Sequence, residues 1–247
     1  MADLAELVRF LDDLLAPEAF EDLGPNGLQV PAARDVRRVV TGVTAQRALF
    51  DRAVALEAEL VLVHHGLFWD FRPAGLSPVL AERLRPLFKH DIALAAYHLP
   101  LDAHPQVGNN ALLAEALGGS AHVPFAGIGR GATFAEPVPA GDLFARVAAL
   151  TGREPLVFDA GPTAIRRLAI VSGSAAGRLD QAVAEGYDAF LTGEPKENVM
   201  ADAREARIHF IAAGHYATET FGVRALGDRL ATRFGVEHLW VDIPNPV

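Results

Sequence analysis

The chain has 247 residues, 51% hydrophobic and 21% charged, which is globular and allows one large domain or two small ones. Its formal net charge of −9 argues against a nucleic-acid or anionic-membrane partner. Cysteine is absent, which removes disulfide frameworks, thiolate zinc sites, iron–sulfur clusters and cysteine nucleophiles together. Any metal must then be held by His, Asp and Glu, a donor set suited to Zn, Mn, Fe, Co, Ni or Mg.

Met1-Ala2-Asp3-Leu4 lacks the basic segment and apolar run of a signal peptide. No stretch reaches the ~18 uninterrupted apolar residues of a membrane helix. The expectation is a soluble cytoplasmic protein. Leu4, Leu7, Val8, Leu11 and Leu15 keep helical spacing, with Asp3 as N-cap and Glu6 three residues on. Pro17 ends that helix or opens a further turn. Asp22 to Val30 contains the turn signal Pro25-Asn26-Gly27. Val36–Val43 reads as a strand, Ala45–Ala58 as an amphipathic helix and Glu59–Val63 as a second strand. This β-α-β order predicts a parallel, right-handed crossover, with ligands beyond the carboxyl ends of the strands.

The second strand runs into His64-His65-Gly66. Adjacent strand residues point to opposite faces. Either the chain turns at His65, which Gly66 permits, or each imidazole serves a different centre. Such a pair suits two metal ions better than one. Phe68 and Trp69 either wall a pocket or pack the loop onto the core.

Pro78–Lys89 reads as a helix and Ile92–Tyr97 as a third buried strand. That strand ends in His98-Leu99-Pro100-Leu101-Asp102-Ala103-His104, where Leu99-Pro100 marks an irregular loop able to aim Asp102 back toward the cleft. Asn109–Leu117 is a helix closed by Gly118-Gly119. Gly127-Ile128-Gly129-Arg130-Gly131 lacks the strand-to-helix context of a phosphate loop and reads as a turn into a strand at Ala132–Phe134. Ala140–Thr151 is a helix, and Leu156–Phe158 and Leu168–Val171 are strands. Ser172-Gly173-Ser174-Ala175 then opens a helix at Leu179–Glu185, as a tight turn or an anion cradle. Residues 127–187 are expected to form a smaller α/β domain inserted into a metal-binding α/β domain made of 1–126 and 188–247.

Ala189–Thr192 is a strand followed by Gly193-Glu194, and Asn198–Arg207 is a helix. The strand Ile208–Ala212 ends in Gly214-His215-Tyr216-Ala217-Thr218-Glu219. A helix from Tyr216 to Phe234 would put His215 and Glu219 near one face. Leu239–Ile243 is a last strand. Ligand-capable residues thus stand at three separate strand ends.

The strings VLVHHGLFW, YHLPLDAHP, GHYATE and DIPNP, in this order and spacing, resemble the Nif-three-like dinuclear-metal family. Its members are often labelled GTP cyclohydrolase I type 2 homologues, and the likeness, to the short bacterial form, covers essentially the whole chain. The resemblance implies two interlocked α/β domains with mixed sheets flanked by helices. It implies His64, His65, Asp102, His215 and Glu219 as ligands of two divalent metal ions. It also implies Glu194 and His98 as neighbours of the site, either one a possible proton shuttle. Longer members commonly carry an aspartate where Thr44 stands here. The implied assembly is a ring-shaped homohexamer, a trimer of dimers. The expected function is a metal-dependent hydrolase acting on a nucleotide-like or cyclic amidine or phosphoester substrate. The alternative is a metal-binding, metal-delivery or ring-scaffold protein without catalysis.

Overall fold

Buried apolar runs set two sheets in the computed structural model, which describes residues 1–32, 35–72 and 75–247. The chain divides into two compact units, residues 1–101 with 222–243 and residues 102–221 with 244–247.

The first unit holds β1 (Gly27–Val30), β2 (Arg38–Thr44), β3 (Leu60–His65), β4 (Ala93–Ala96) and β11 (Glu237–Trp240), in the order β1-β4-β3-β2-β11. β4, β3, β2 and β11 are mutually parallel, and β1 is antiparallel to β4. Val39, Val40, Val61, Leu62, Val63 and Leu94 are fully buried. Unbroken apolar runs of this kind belong to strands covered on both faces. Val40, Val61, Val63 and Leu94 share a core with Leu49 and Phe50 of the helix Arg47–Ala55 and Leu87 of the helix Pro78–His90. The first helix, Leu4–Leu15, starts where the Asp3 carboxylate accepts from the Glu6 amide at 3.0 Å. It buries Leu7, Leu11 and Leu15 and stops at Ala16 in the left-handed region. Truncating a buried leucine such as Leu11 to alanine costs about 2–5 kcal/mol.

The second unit holds β5 (Ala121–Phe125), β6 (Gly129–Pro139), β7 (Leu156–Phe158), β8 (Ala164–Val171), β9 (Ala189–Thr192) and β10 (His209–Ala212). Their order is β5-β6-β8-β9-β10-β7, with β8, β9 and β10 parallel and the other pairings antiparallel. This sheet moves the expected domain boundary. β9 pairs with β8, and β10 with β9, so 188–221 lies in one unit with 127–187, a unit that runs from 102 to 221.

Two further readings change. Leu99–Ala103 is a short helix, not an irregular loop, because Pro100 falls in the first turn, where its missing N–H costs nothing. The expected helix from Tyr216 to Phe234 is two segments, His215–Thr218 and Thr220–Phe234, with Glu219 at the break. No helix among the described residues is long and apolar enough to cross a membrane.

Candidate metal centre

In the first unit three imidazoles meet at the carboxyl ends of β3 and β4. One nitrogen of each of His64, His65 and His98 lies within 4.8 Å of the others. β3 continues through His65, so the chain does not turn there as one reading allowed. Instead the two histidines lean on opposite neighbouring strands. His64, fully buried, donates Nδ1–H to the Tyr97 carbonyl just beyond β4 at 3.0 Å. His65 shares a hydrogen bond through Nδ1 with the Thr44 hydroxyl of β2 at 3.1 Å. Thr44 thus supports His65. The two rings remain 4.7 Å apart between centroids.

His98 donates Nδ1–H to Asp22 at 2.6 Å. Asp22 also accepts from the Asn26 amide at 2.9 Å and the Leu99 N–H at 2.9 Å. Burial pushes the Asp22 carboxyl up, but bonds from His98, Asn26 and Leu99 outweigh it and hold it at about 2. Sequence reading missed Asp22. Its only signal was an acid four residues before Asn26 across a Pro-Asn-Gly turn, which also reads as ordinary turn chemistry.

The second unit holds a group of acids around His215. Asp102, buried in the short helix after β4, accepts at Oδ1 from Asn109 at 2.8 Å and from the Ser172 hydroxyl at 2.9 Å. Oxygens of Asp102 and Glu219 lie within 4.8 Å of one another. Glu219 lies 3.2 Å from His215 Nε2. Opening a single helical turn with His215 and closing it with Glu219 preserves the one-face spacing expected of a continuous helix. On its other side His215 donates Nδ1–H to Glu194 in a short hydrogen bond. Burial pushes the His215 imidazolium down, but Glu219 and then Glu194 raise it to about 9 overall.

The Ser172–Ala175 turn belongs to this site and does not open directly into a helix. A short 3-10 turn, Ala176–Arg178, intervenes before Leu179–Ala184. Ser172 is spent on Asp102, and Gly173, at φ +67°, packs against Glu219 and His215. A Cβ at Gly173 would overlap Glu219 Oε1 and approach His215 Nε2 to 3.3 Å. The Gly173 carbonyl accepts from the Gly193 and Glu194 amides at 2.8 and 3.1 Å. A Cβ at Gly193 would meet the Gly173 carbonyl and the His215 backbone, each at 2.6 Å. Both glycines let backbone close in behind the His215–Glu219 pair.

These donors fit divalent cations by their chemistry. His64 and His215 each present Nδ1–H to an oxygen, which fixes the ring and leaves Nε2 as the nitrogen that could meet a metal. Asp102 is itself oriented by hydrogen bonds. Neutral imidazole and carboxylate together suit Zn, Mn, Fe, Co or Ni.

A family model for Duf34/NIF3 (NGG1p interacting factor 3) matches residues 2–246. A Pseudomonas aeruginosa protein named GTP cyclohydrolase 1 type 2 homolog is 49% identical, the alignment covering 98% of each chain. An Escherichia coli K12 protein of the same name is 43% identical over 98% of each chain. A solved structure from Thermus thermophilus superposes with a TM-score of 0.93 at 42% identity, covering 99% of this chain and 100% of that one.

Proposed function

This chain belongs to the Duf34/NIF3 family, and on that premise we propose that His64, His65, Asp102, His215 and Glu219 together hold two divalent cations in a hydrolytic centre. The observation that carries the reading is the fixing of the imidazoles. Three of them are held through Nδ1, His64 by Tyr97, His65 by Thr44 and His215 by Glu194, as metal-binding histidines are.

When bound, a pair of divalent cations supplies Lewis acidity and a water acidified toward neutral pH. The side chains divide the remaining work. Glu219, with two oxygens, can serve both ions. Asp102 keeps Oδ1 tied to Asn109 and Ser172 and so enters the centre in one orientation. Of the two residues expected as proton shuttle, Glu194 is in this reading a positioning residue, since its oxygen is engaged with His215 Nδ1. That role falls to His98. Asp22 holds its Nδ1–H, so Nε2 is the atom that takes a proton from, or returns one to, a reacting group. The substrate class is a nucleotide-like phosphoester or cyclic amidine. The assembly in this reading is a homohexameric ring, which light scattering on the purified protein tests.

Metal content decides the central claim. Elemental analysis of the purified protein should find bound divalent metal, with His64→Ala and Glu219→Ala each losing most of it. Full occupancy in both variants refutes the centre. A panel of phosphomonoesters, phosphodiesters and GTP with added Mn, Zn or Fe then separates hydrolysis from metal binding alone. Silence across the panel with tight metal retention favours the non-catalytic alternative.

A further inference from the structure

Beside the histidine cluster, wholly within the first unit, lies a cavity of about 390 Å³ lined in part by Pro25, Phe68, Trp69, Arg72, Ser77 and Leu80. That volume lies within the ~300–1,000 Å³ range of small-molecule sites. Trp69 separates it from the imidazoles, its ring edge-on to His98 at 5.2 Å and tilted to His65 at 6.0 Å. A much smaller cavity, lined in part by His64 and His98, shares Pro25, Phe68 and Trp69 with it.

The wall is preformed. The Trp69 indole donates to the Gly66 carbonyl at 3.0 Å, and Phe71 stacks on the ring at 5.6 Å. Gln29 clamps the loop from behind, accepting from the Leu67 amide at 2.8 Å and donating to the Pro25 carbonyl at 2.8 Å. The Asp70 amide donates to the Leu23 carbonyl at 2.8 Å. An indole held at this many points offers a flat apolar surface at little further entropic cost.

The charge at the rim is the second observation. The protein carries −9 overall, yet Arg72 lines this cavity and Arg83 stands close enough for the two cations to repel. Burial and then the Arg72 charge lower the Arg83 pKa. Neither guanidinium has a carboxylate partner among the ion pairs of the described residues, whereas Arg47 and Arg85 on the same side are paired with Glu82. Two neighbouring guanidiniums outside those ion pairs are a ready seat for an anion. Asp70 also borders the cavity and can accept from a ring N–H.

We infer that this cavity binds the non-reacting part of the substrate, a flat aromatic heterocycle against Trp69 with an anionic arm on Arg72, as in a nucleoside monophosphate. The inference names the substrate class for the proposed metal centre and rests on that reading. Its test is made without metal, so the two can fail separately.

The chain has two tryptophans, and Trp240→Phe leaves Trp69 as the sole indole reporter. Chelator-treated Trp240→Phe protein is titrated with guanosine 5′-monophosphate, guanosine, ribose 5-phosphate and inorganic phosphate while indole fluorescence is followed. The monophosphate should quench saturably and more tightly than guanosine. Arg72→Ala should weaken the monophosphate about tenfold and leave guanosine unchanged, as expected for one charge-assisted contact. By calorimetry on the otherwise native chain, Trp69→Leu should abolish binding and Trp69→Phe should restore part of it. Ribose 5-phosphate binding as well as the monophosphate would overturn the aromatic half of the inference. Equal loss of guanosine and monophosphate in Arg72→Ala would overturn the anionic half. No saturable change with any probe, with or without added metal, would overturn both. A protein that binds the monophosphate but retains no metal keeps the pocket and loses the centre.

Discussion

Replacing Gly173 by alanine tests the carboxylate half of the site without removing a single donor atom. Gly173 has φ +67°, and its added Cβ would overlap Glu219 Oε1 while approaching His215 Nε2 to 3.3 Å. Carbon and oxygen normally sit about 3.5 Å apart, so the Glu219 carboxylate must retreat by on the order of 1 Å. Metal–ligand distances tolerate only about 0.2 Å, so a shift of that size would take Glu219 out of coordination in the proposed centre. The expected loss in metal affinity is about 100-fold, or about 2.8 kcal/mol. The same substitution carries a second cost, about 1–2 kcal/mol for forcing an L-residue into the left-handed region. Gly152→Ala isolates it. Gly152 has φ +66° and nothing within 4 Å of its Cβ position. The two variants should therefore lose comparable thermal stability without metal, a few degrees for a chain of this size. They should part in calorimetric titration with Mn or Zn, where Gly152→Ala binds as the parent does. Gly173→Ala binding metal like Gly152→Ala, at matched melting temperature, would show that Glu219 and His215 do not hold the ion.

Ser172→Ala leaves Asp102 Oδ1 with Asn109 alone. Chemical denaturation should register a loss of about 1–2 kcal/mol, and metal affinity should fall less than in Gly173→Ala. Acid unfolding of the metal-free protein reports on Asp22. Its folded pKa of about 2 lies below the ordinary 3.8, so its contribution is full above pH ~4 and is lost as pH falls through about 2. Asp22→Asn should flatten the stability profile in that window, and an unchanged slope there would refute the Asp22–His98 pairing. Gln29→Ala removes the bonds to Leu67 and Pro25, and hydrogen exchange should show the Leu67 and Asp70 amides opening faster while β3 stays protected. Glu194→Gln keeps a hydrogen-bonding side chain beside His215 but weakens the charge on its imidazole. Metal affinity should drop about 10-fold with stoichiometry unchanged, and a change in stoichiometry would make Glu194 a ligand.

The parts of the molecule legible in the sequence are those set by local pattern. The helix Leu4–Leu15 follows from its leucine spacing and Asp3 cap, and the buried runs before His64, Tyr97 and Ala213 announce parallel strands ending in polar residues. The unread parts depend on pairing across long separations. β1 and β5 are short strands, GLQV and AHVPF, formed by antiparallel partners at Leu94–Ala96 and Gly129–Thr133 that no local period reveals. The unit boundary failed for the same reason, since residues 189–212 join residues 164–171 through ladder bonds. At the site, the histidines and acids stood out by type and position. Asp22 and Asn109 did not, because each is an ordinary turn or helix residue until folding brings it against His98 or Asp102.

The second unit leaves the first after Leu101 and hands the chain back at Gly222. Asp102 is the residue just inside the outgoing crossing, and Glu219 stands three positions before the return. Their oxygens lie within 4.8 Å of one another, so the whole excursion of polypeptide is pinched shut at its neck by two acids. An ion bridging them would act as a buckle, fastening the loop at its base and coupling occupancy to the integrity of everything folded beyond it.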